Sequence, residues 1–414
     1  MAVILFEDDK AADLSPAALA RPVSTIPCGG YRLDELIHAL DLPVIHAPRS
    51  YLCGVVPTGS PETVSGEKID FHLLLNGRLV PAIATLRYLQ DWLTNTEPGV
   101  LFQEDALLAA LVPASTLKQW DFSAETLLGN LELEKMSRRE FPLPLLKHPH
   151  HIIQYHLEYF VENLAHRIQF NSYEQPVTGL FLGPGATIDP SATVDTSEGI
   201  VLLERGATVG PHSHLRGPLL VGADSVVLPH ATLGTHTAVE NNCKLGGEIS
   251  GSIISAYSNK SHYGFLGHSY LGSWVNLGAG TTNSNLKNTY GEIHLEKDNQ
   301  RIATGMQFLG CLIGDYTKTA IGTTIFTGKT IGACSMLYGT VAENVPSFVN
   351  YAKQFGKVTA VSPQVATTIQ ARTYARRGMT QNKTDQELLS ELHRRTQSDR
   401  ERFAGELPEE PLVL

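Results

Sequence analysis

The chain has 414 residues, 42% hydrophobic and 18% charged, with a formal net charge of −10. That apolar content supports a packed core spread over two or three domains and excludes wholesale disorder, and the acidic balance excludes a nucleic-acid binder with a basic face. The five scattered cysteines (Cys28, Cys53, Cys243, Cys311 and Cys334) form no disulfide framework and match a reducing cytoplasm, and no apolar run approaches the roughly 20 residues of a membrane span.

The start, Met1 to Phe6 followed by Glu7-Asp8, lacks the basic n-region expected of a signal peptide and reads as a first buried strand. Val3–Phe6, Val44–Ile45, Phe71–Leu75 and Val100–Phe102 read as short buried strands. Leu33–Leu40, Ile83–Leu93, Ala106–Leu111 and Ile152–Ile168 read as helices. This alternation predicts an α/β domain with a mostly parallel sheet over residues 1–175. His148 to His151 and His156 are expected on an ordinary loop-to-helix surface.

From about residue 180 a period of six takes over. Leu203, Val209, Leu215, Val221, Val227, Leu233, Val239 and Leu245 are each six apart, with mostly small residues two positions earlier and glycine often following. Six is the period of a short strand plus a corner, with the aliphatic residue filling the inside and glycine allowing the bend. Three hexapeptides close one coil, so residues 18 apart stack, which is the signature of a left-handed parallel β-helix over residues 176–345. The register slips and resumes at Phe265, Leu271 and Leu277, then again at Ile313, Thr319, Ile325, Ile331 and Leu337. Residues 246–264 and 282–308 are read as excursions, and such loops tend to gather on a binding face. His212, His230 and Glu248, each 18 apart, are expected to stack on one outer edge, either as solvated side chains or as a Zn²⁺ ladder. Residues 346–414 form a polar helical tail. Its Thr384-Asp-Gln-Glu387 capping box predicts a helix of about 20 residues ahead of Leu388, Leu389 and Leu392. Arg372, Arg376 and Arg377 offer either a solvated face or a cationic lip for phosphates.

The chemistry is concentrated between Ser258 and Asn285. A histidine near neutrality can act as a general base, asparagines suit sugar hydroxyls, and Leu277-Gly-Ala-Gly280 lets backbone N–H groups approach a ligand. His262, Leu266-Gly267, Val275-Asn276-Leu277-Gly278-Ala279-Gly280-Thr281 and Asn285 resemble, at matching spacing, the acyltransferase half of the bifunctional N-acetylglucosamine-1-phosphate uridylyltransferases/glucosamine-1-phosphate acetyltransferases. The resemblance implies that His262 is the catalytic base, that Glu248, Asn276 and Asn285 bind the sugar, and that Ala279, Gly280 and Cys311 contact the acyl donor. It implies acetyl-CoA or another acyl-CoA as co-substrate and a homotrimer. Phe265 replaces a family tyrosine, and Lys260 or Lys287 is left to stand in for a phosphate-binding lysine.

The first 175 residues resemble a sugar nucleotidyltransferase. Leu14-Ser-Pro16 and Arg21-Pro22-Val23 keep part of the signature loop, which makes Arg21 the candidate nucleotide contact. The glycine-rich phosphate loop is absent, and Asn76-Gly77-Arg78 stands where the family carries a Mg²⁺-binding Asp, a task closed to a guanidinium. The expected function is acyl transfer to an amino sugar or sugar phosphate in sugar-nucleotide or cell-envelope metabolism, by a cytoplasmic enzyme fused to a degenerate nucleotidyltransferase-like domain. Nucleotidyl transfer, with Mg²⁺, or sugar-nucleotide binding without turnover are the alternatives.

Overall fold

The computed structural model describes residues 1–56, 70–95, 97–117, 124–129, 135–170, 172–297, 300–405 and 407–409. The chain divides into two compact units, Met1–Leu14 with Ala18–His148, and Ser15–Ala17 with Pro149–Leu414.

The first unit is built on a six-stranded sheet of β1 (Val3–Phe6), β2 (Val44–Ala47), β3 (Phe71–Asn76), β4 (Gly99–Gln103), β5 (Ala106–Pro113) and β6 (Arg138–Glu140), in the order β2-β1-β3-β5-β4-β6. The sheet is mixed. β1 pairs parallel with β2 and β3, and β4 with β6, whereas β5 runs antiparallel to β3 and β4. Helices α1 (Leu33–Leu36), α2 (Ile83–Asn95) and α3 (Ala124–Gly129) complete the unit. The one element of the wrong type is Ala106–Leu111, expected as a helix and found as the start of β5. Glu104 takes a left-handed conformation (φ 55°) and turns the chain back on β4. A short apolar run suits either element, and here both faces are covered: Leu108 and Leu111 join one core, and Leu107, Ala110 and Val112 the other.

The second unit is a three-faced parallel β-solenoid. The first face runs through Thr187–Ile188, Thr208–Val209, Val226–Val227, Lys244–Leu245 and Asn259–Lys260. The second runs from Thr193–Asp195 through Thr232–Leu233 and Glu248–Ser250 to Phe265–Gly267. The third is a nine-stranded sheet ending at Lys329–Ile331. The eight residues of the period from Leu203 to Leu245 all point inward, none more than 4% exposed. Ile313, Thr319, Ile325, Ile331 and Leu337 continue that interior. Two expectations change. Residues 246–264 are not an excursion but a shortened coil, in which Leu245 pairs with Lys260 only fifteen residues on. The resumption at Phe265 is off by one, because Leu266 faces the core beside Ile249 while Phe265 lies outward. The second excursion is real, and it carries the antiparallel hairpin His294–Lys297/Gln300–Ala303.

Helices flank the solenoid. α4 (His151–Arg167) lays Phe160 and Leu164 on Leu202, Leu220 and Ala238 of the third face. His150 and His156 are therefore buried rather than on a loop-to-helix surface. The tail forms α5 (Pro363–Ala375), α6 (Lys383–Arg395) and α7 (Gln397–Ala404). The cap of α6 is Asn382, paired with Asp385, not Thr384, and the helix has 13 residues before the chain bends at Thr396. Leu388, Leu389 and Leu392 form its buried face as expected. Tyr374 of α5 lies 4.6 Å from Trp274, which itself stacks on Tyr257 at 4.3 Å, so the tail covers the edge where these corner residues adopt positive φ. Arg377 is drawn into this contact, its Nη2 donating to the Asn242 carbonyl and to Asn259 Oδ1, both at 3.0 Å. Among the described residues no helix is long and apolar enough to cross a membrane, and all five cysteines are free thiols.

His156 sets an acid limit on stability. It is 0% exposed, and its Nε2–H donates to the His236 carbonyl at 2.9 Å. Burial pushes its pKa down to about 4, partly countered by that bond. Between about pH 6.5 and pH 4 the unfolded chain takes up a proton that the folded chain refuses, so stability falls as the pH falls through this window. The loss is expected to reach about 3 kcal/mol at its lower end. Denaturant titrations at pH 7 and pH 4.5 should show a smaller acid loss in His156→Phe than in the wild type. Equal losses in the two proteins would exclude His156 as the cause. His393, also lowered to about 4 by burial, contributes alike in both.

Candidate functional site

The coil corners between the first and second faces stack as one edge. His212 and His230 occupy its first corners with left-handed backbones, and their rings stack at 5.2 Å. Glu248 does not join them. The shortened coil pairs it with Thr232 on the second face, and no group of three metal-capable side chains occurs among the described residues. Gly246–Gly247, His262–Tyr263, Ala279–Gly280 and Ile321–Gly322 carry the edge onward. Gly280 N–H donates to Tyr263 O at 3.0 Å and Gly322 N–H to Ala279 O at 2.7 Å.

His262 is exposed on this edge, one coil from Ala279. In the run Leu277–Thr281, four N–H groups are engaged: Leu277 with Asn259 O, Gly278 with Thr319 O, Gly280 with Tyr263 O and Thr281 with Gly278 O. The Ala279 N–H meets no protein acceptor among the described residues. Gly280, expected to offer its N–H to the acyl donor, is thus occupied. Gly280 itself sits at φ +77°, and a Cβ there would lie 2.8 Å from the Tyr263 hydroxyl, so glycine permits the close crossing of the two coils.

The remaining residues distribute around this edge. Glu248 is exposed and directly beside Phe265 on the second face. Asn285 lies at the far side of the same face, its Nδ2 donating to His268 Nδ1 at 2.8 Å. The ring of His268 stacks on Phe308 at 5.4 Å, and burial lowers its pKa. Asn276 is exposed on the first face, accepting from Asn259 Nδ2 at 3.4 Å. Cys311 is enclosed in the interior, 0% exposed, its thiol 3.6 Å from Ser269 Oγ and its pKa pushed up to about 11 by burial. A thiol held there touches the core and not a molecule on the outer faces. Lys260, expected to meet a phosphate, also points inward, and Lys287 is turned to the Glu292 carbonyl. Sequence reasoning missed His268. Its signal was the spacing of 17 from Asn285, one coil in this stretch.

In the first unit, Arg78 is 3% exposed and forms a two-point pair with Asp8, with Nε at 2.8 Å from Oδ1 and Nη2 at 2.5 Å from Oδ2. Asn76 Nδ2 also donates to Asp8 Oδ2 at 2.8 Å. The carboxylate nearest the expected metal position is therefore already saturated by donors, and this set does not fit Mg²⁺. Buried Glu7 accepts from Val23 N–H at 2.7 Å and from Arg49. Arg49 Nη2 in turn holds the carbonyls of Ala18 and Arg21, so the segment containing Arg21 is fixed by its backbone.

Residues 3–168 match the family described as sugar nucleotidyl transferase. The chain is 32% identical over 143 residues to a bifunctional sugar-1-phosphate nucleotidylyltransferase/acetyltransferase of Sulfurisphaera tokodaii, covering 34% of this chain and 36% of that protein. It is 30% identical over 159 residues to the bifunctional protein GlmU of Trichormus variabilis, covering 36% of this chain and 31% of that protein. The matched stretch thus spans about a third of the length of each relative. The solved acetyltransferase domain of PglB from Neisseria gonorrhoeae, in complex with acetyl coenzyme A, overlays 82% of this chain and 92% of its own at 12% identity. Its TM-score is 0.20, at which the overlay bears no weight.

Proposed function

We propose that the solenoid is an acyl-CoA-dependent acyltransferase acting on an amino sugar or an amino-sugar phosphate. The observation that carries this reading is the exposed His262 one coil away from the Ala279 N–H, which meets no protein acceptor among the described residues. A sugar ammonium is no nucleophile. His262 removes its proton, and the free amine attacks the thioester carbonyl carbon, forming the C–N bond. The Ala279 N–H would donate to the oxygen that gains charge. The C–S bond then breaks, the imidazolium returns a proton to the leaving thiolate, and the second proton of the attacking nitrogen is lost to solvent, leaving the neutral amide and the free thiol. Glu248 and Asn285 would orient the sugar along the second face. Asn276 lies across the edge on the first face, so a groove between two copies of the chain would bring residues of both faces to one ligand, as in a cyclic trimer. The relatives named above as bifunctional transferases support the same class of chemistry.

For the first unit the saturated Asp8 favours sugar-nucleotide binding through the Arg21 segment over nucleotidyl transfer. The deciding experiment is thiol release from acetyl-CoA by the wild-type protein, with a panel of amino sugars and their 1-phosphates, alongside its mass in solution. Release with one acceptor is expected, from a trimer. A folded trimer that releases no thiol with any acceptor would refute the acyltransferase reading and leave sugar-nucleotide binding by the first unit as the activity to pursue.

A further inference from the structure

The interior column of the first face reads Val209, Val227, Leu245, Lys260, Leu277. Lysine occupies a place where the neighbouring coils put aliphatic residues, and it is only 1% exposed. An ammonium in an apolar interior is costly unless its protons are matched by acceptors. Here Nζ donates to the Gly246 carbonyl at 2.9 Å and to the His262 carbonyl at 3.0 Å. One side chain therefore ties two successive corners of the edge that carries His262.

The local sequence is shaped to admit it. The coil from Leu245 to Lys260 is fifteen residues, against eighteen from Val227 to Leu245, and two of the three missing residues fall at the Gly246–Gly247 corner, the third at the Gly251 corner. Gly247 has φ +69°, and a Cβ there would lie 2.8 Å from Lys260 Nζ and 2.7 Å from His262 O. Only glycine leaves room for the ammonium beneath the corner. A leucine at 260 would continue the column at no electrostatic cost. Natural chains depart from their own core pattern mainly where function requires it.

We propose that Lys260 is a positioning residue for His262: from inside the prism its ammonium pins the His262 carbonyl to the preceding corner and so fixes where the imidazole stands. Its consequence for turnover rests on the acyltransferase reading, whereas the pinning itself does not. Burial pushes the pKa of Lys260 down to about 8, with the field of Glu248 acting in the opposite sense. The other ionisable neighbours are few. The preceding coil presents exposed Lys244 besides Glu248, and the corner itself presents exposed His262 and Tyr263. The following coil, Leu277 to Thr281, presents none, and Arg377 approaches from outside on Asn259. Above about pH 8 a neutral amine replaces the ammonium and holds the two carbonyls less tightly, because charge-assisted hydrogen bonds are the stronger ones.

The test is histidine-ring NMR of the full chain across pH 5.5–9.5, in the wild type and in Lys260→Met, with the His262 signal assigned by its loss in His262→Ala. The wild-type His262 signal should show a second inflection near pH 8 that is missing from Lys260→Met. Thermal melting should show the variant at least as stable as the wild type. In thiol-release assays kcat should fall by about tenfold to a hundredfold with little change in the acyl-CoA KM, as expected for a misplaced base. His262 titrations that coincide in the two proteins overturn the proposal, whether or not the protein turns over. A missing inflection in Lys260→Met, with no turnover by the wild type, upholds it and sinks the acyltransferase reading instead. Should Lys260→Met fail to fold, Lys260→Gln, which keeps a neutral donor, carries the same comparison.

Discussion

His262→Ala is expected to lower thiol release from acyl-CoA by about 10²–10⁴-fold, the usual worth of general-base assistance. The side chain is exposed at a corner of the solenoid, and truncating such a residue changes stability by no more than about 0.5 kcal/mol. The loss should therefore appear at an unchanged melting temperature. It should appear in kcat more than in the acyl-CoA KM, because the proton is moved in the transition state and the donor is held by other groups. The residual rate should rise with pH in the variant, as the fraction of free amine in solution grows without help from the imidazole. A variant within threefold of wild type would remove His262 from the chemistry. Attention would then turn to His268, on the opposite side of the second face, already paired with Asn285.

The solenoid was readable because its code is local. Each coil repeats the same demand, one aliphatic residue inward per face, and eight consecutive positions from Leu203 to Leu245 satisfy it. Reading failed where the coil length changed. Counting by six across the fifteen-residue coil moves Glu248 onto the histidine column and leaves Lys260 outside, and counting back by six from Leu271 puts Phe265 inside, all three opposite to what the pairings Glu248 with Thr232, Leu245 with Lys260 and Ile249 with Leu266 enforce. The strand at Ala106–Pro113 was hidden for another reason. A strand covered on both faces has no alternation, so its apolar run matches a helix equally well, and only pairing with β3 and β4 decides. In the candidate site, the motif from His262 to Asn285 named candidate residues but not the faces they occupy. That Gly280 N–H is taken by Tyr263, and that Cys311 lies inside, depends on contacts between coils that no spacing along the chain reveals.

Arg78→Ala should destabilise the first unit by about 3–5 kcal/mol, the typical cost of removing one partner from a buried ion pair. The sequence showed that an arginine here could not hold Mg²⁺, but its partner is 70 residues away and came only with the fold. Arg78 lies two residues beyond the end of β3, and Asp8 two residues beyond the end of β1. The parallel pairing of these two strands, Phe6 opposite Asn76, brings the two side chains together. The guanidinium meets both carboxylate oxygens and also donates from Nη1 to the Leu146 carbonyl at 3.0 Å. Its removal leaves Asp8, whose side chain is 15% exposed, with a charge met only by the uncharged Asn76 amide and Lys10 N–H, and Leu146 without its donor. Arg78→Lys should recover only part of the loss, because a single ammonium cannot reproduce the two-point geometry. Adding Asp8→Asn to Arg78→Ala should recover part by removing the stranded charge, which makes the double variant more stable than Arg78→Ala alone. Urea titrations of the three variants test the scheme, and a cost below about 1 kcal/mol for Arg78→Ala, the range of an exposed pair, would show that the pair is not structural. The same measurement bears on function. If the first unit needs Arg78 to remain folded, the residue standing at the family's metal position serves the architecture of the sheet, and a nucleotide bound there would be held without the metal-assisted step.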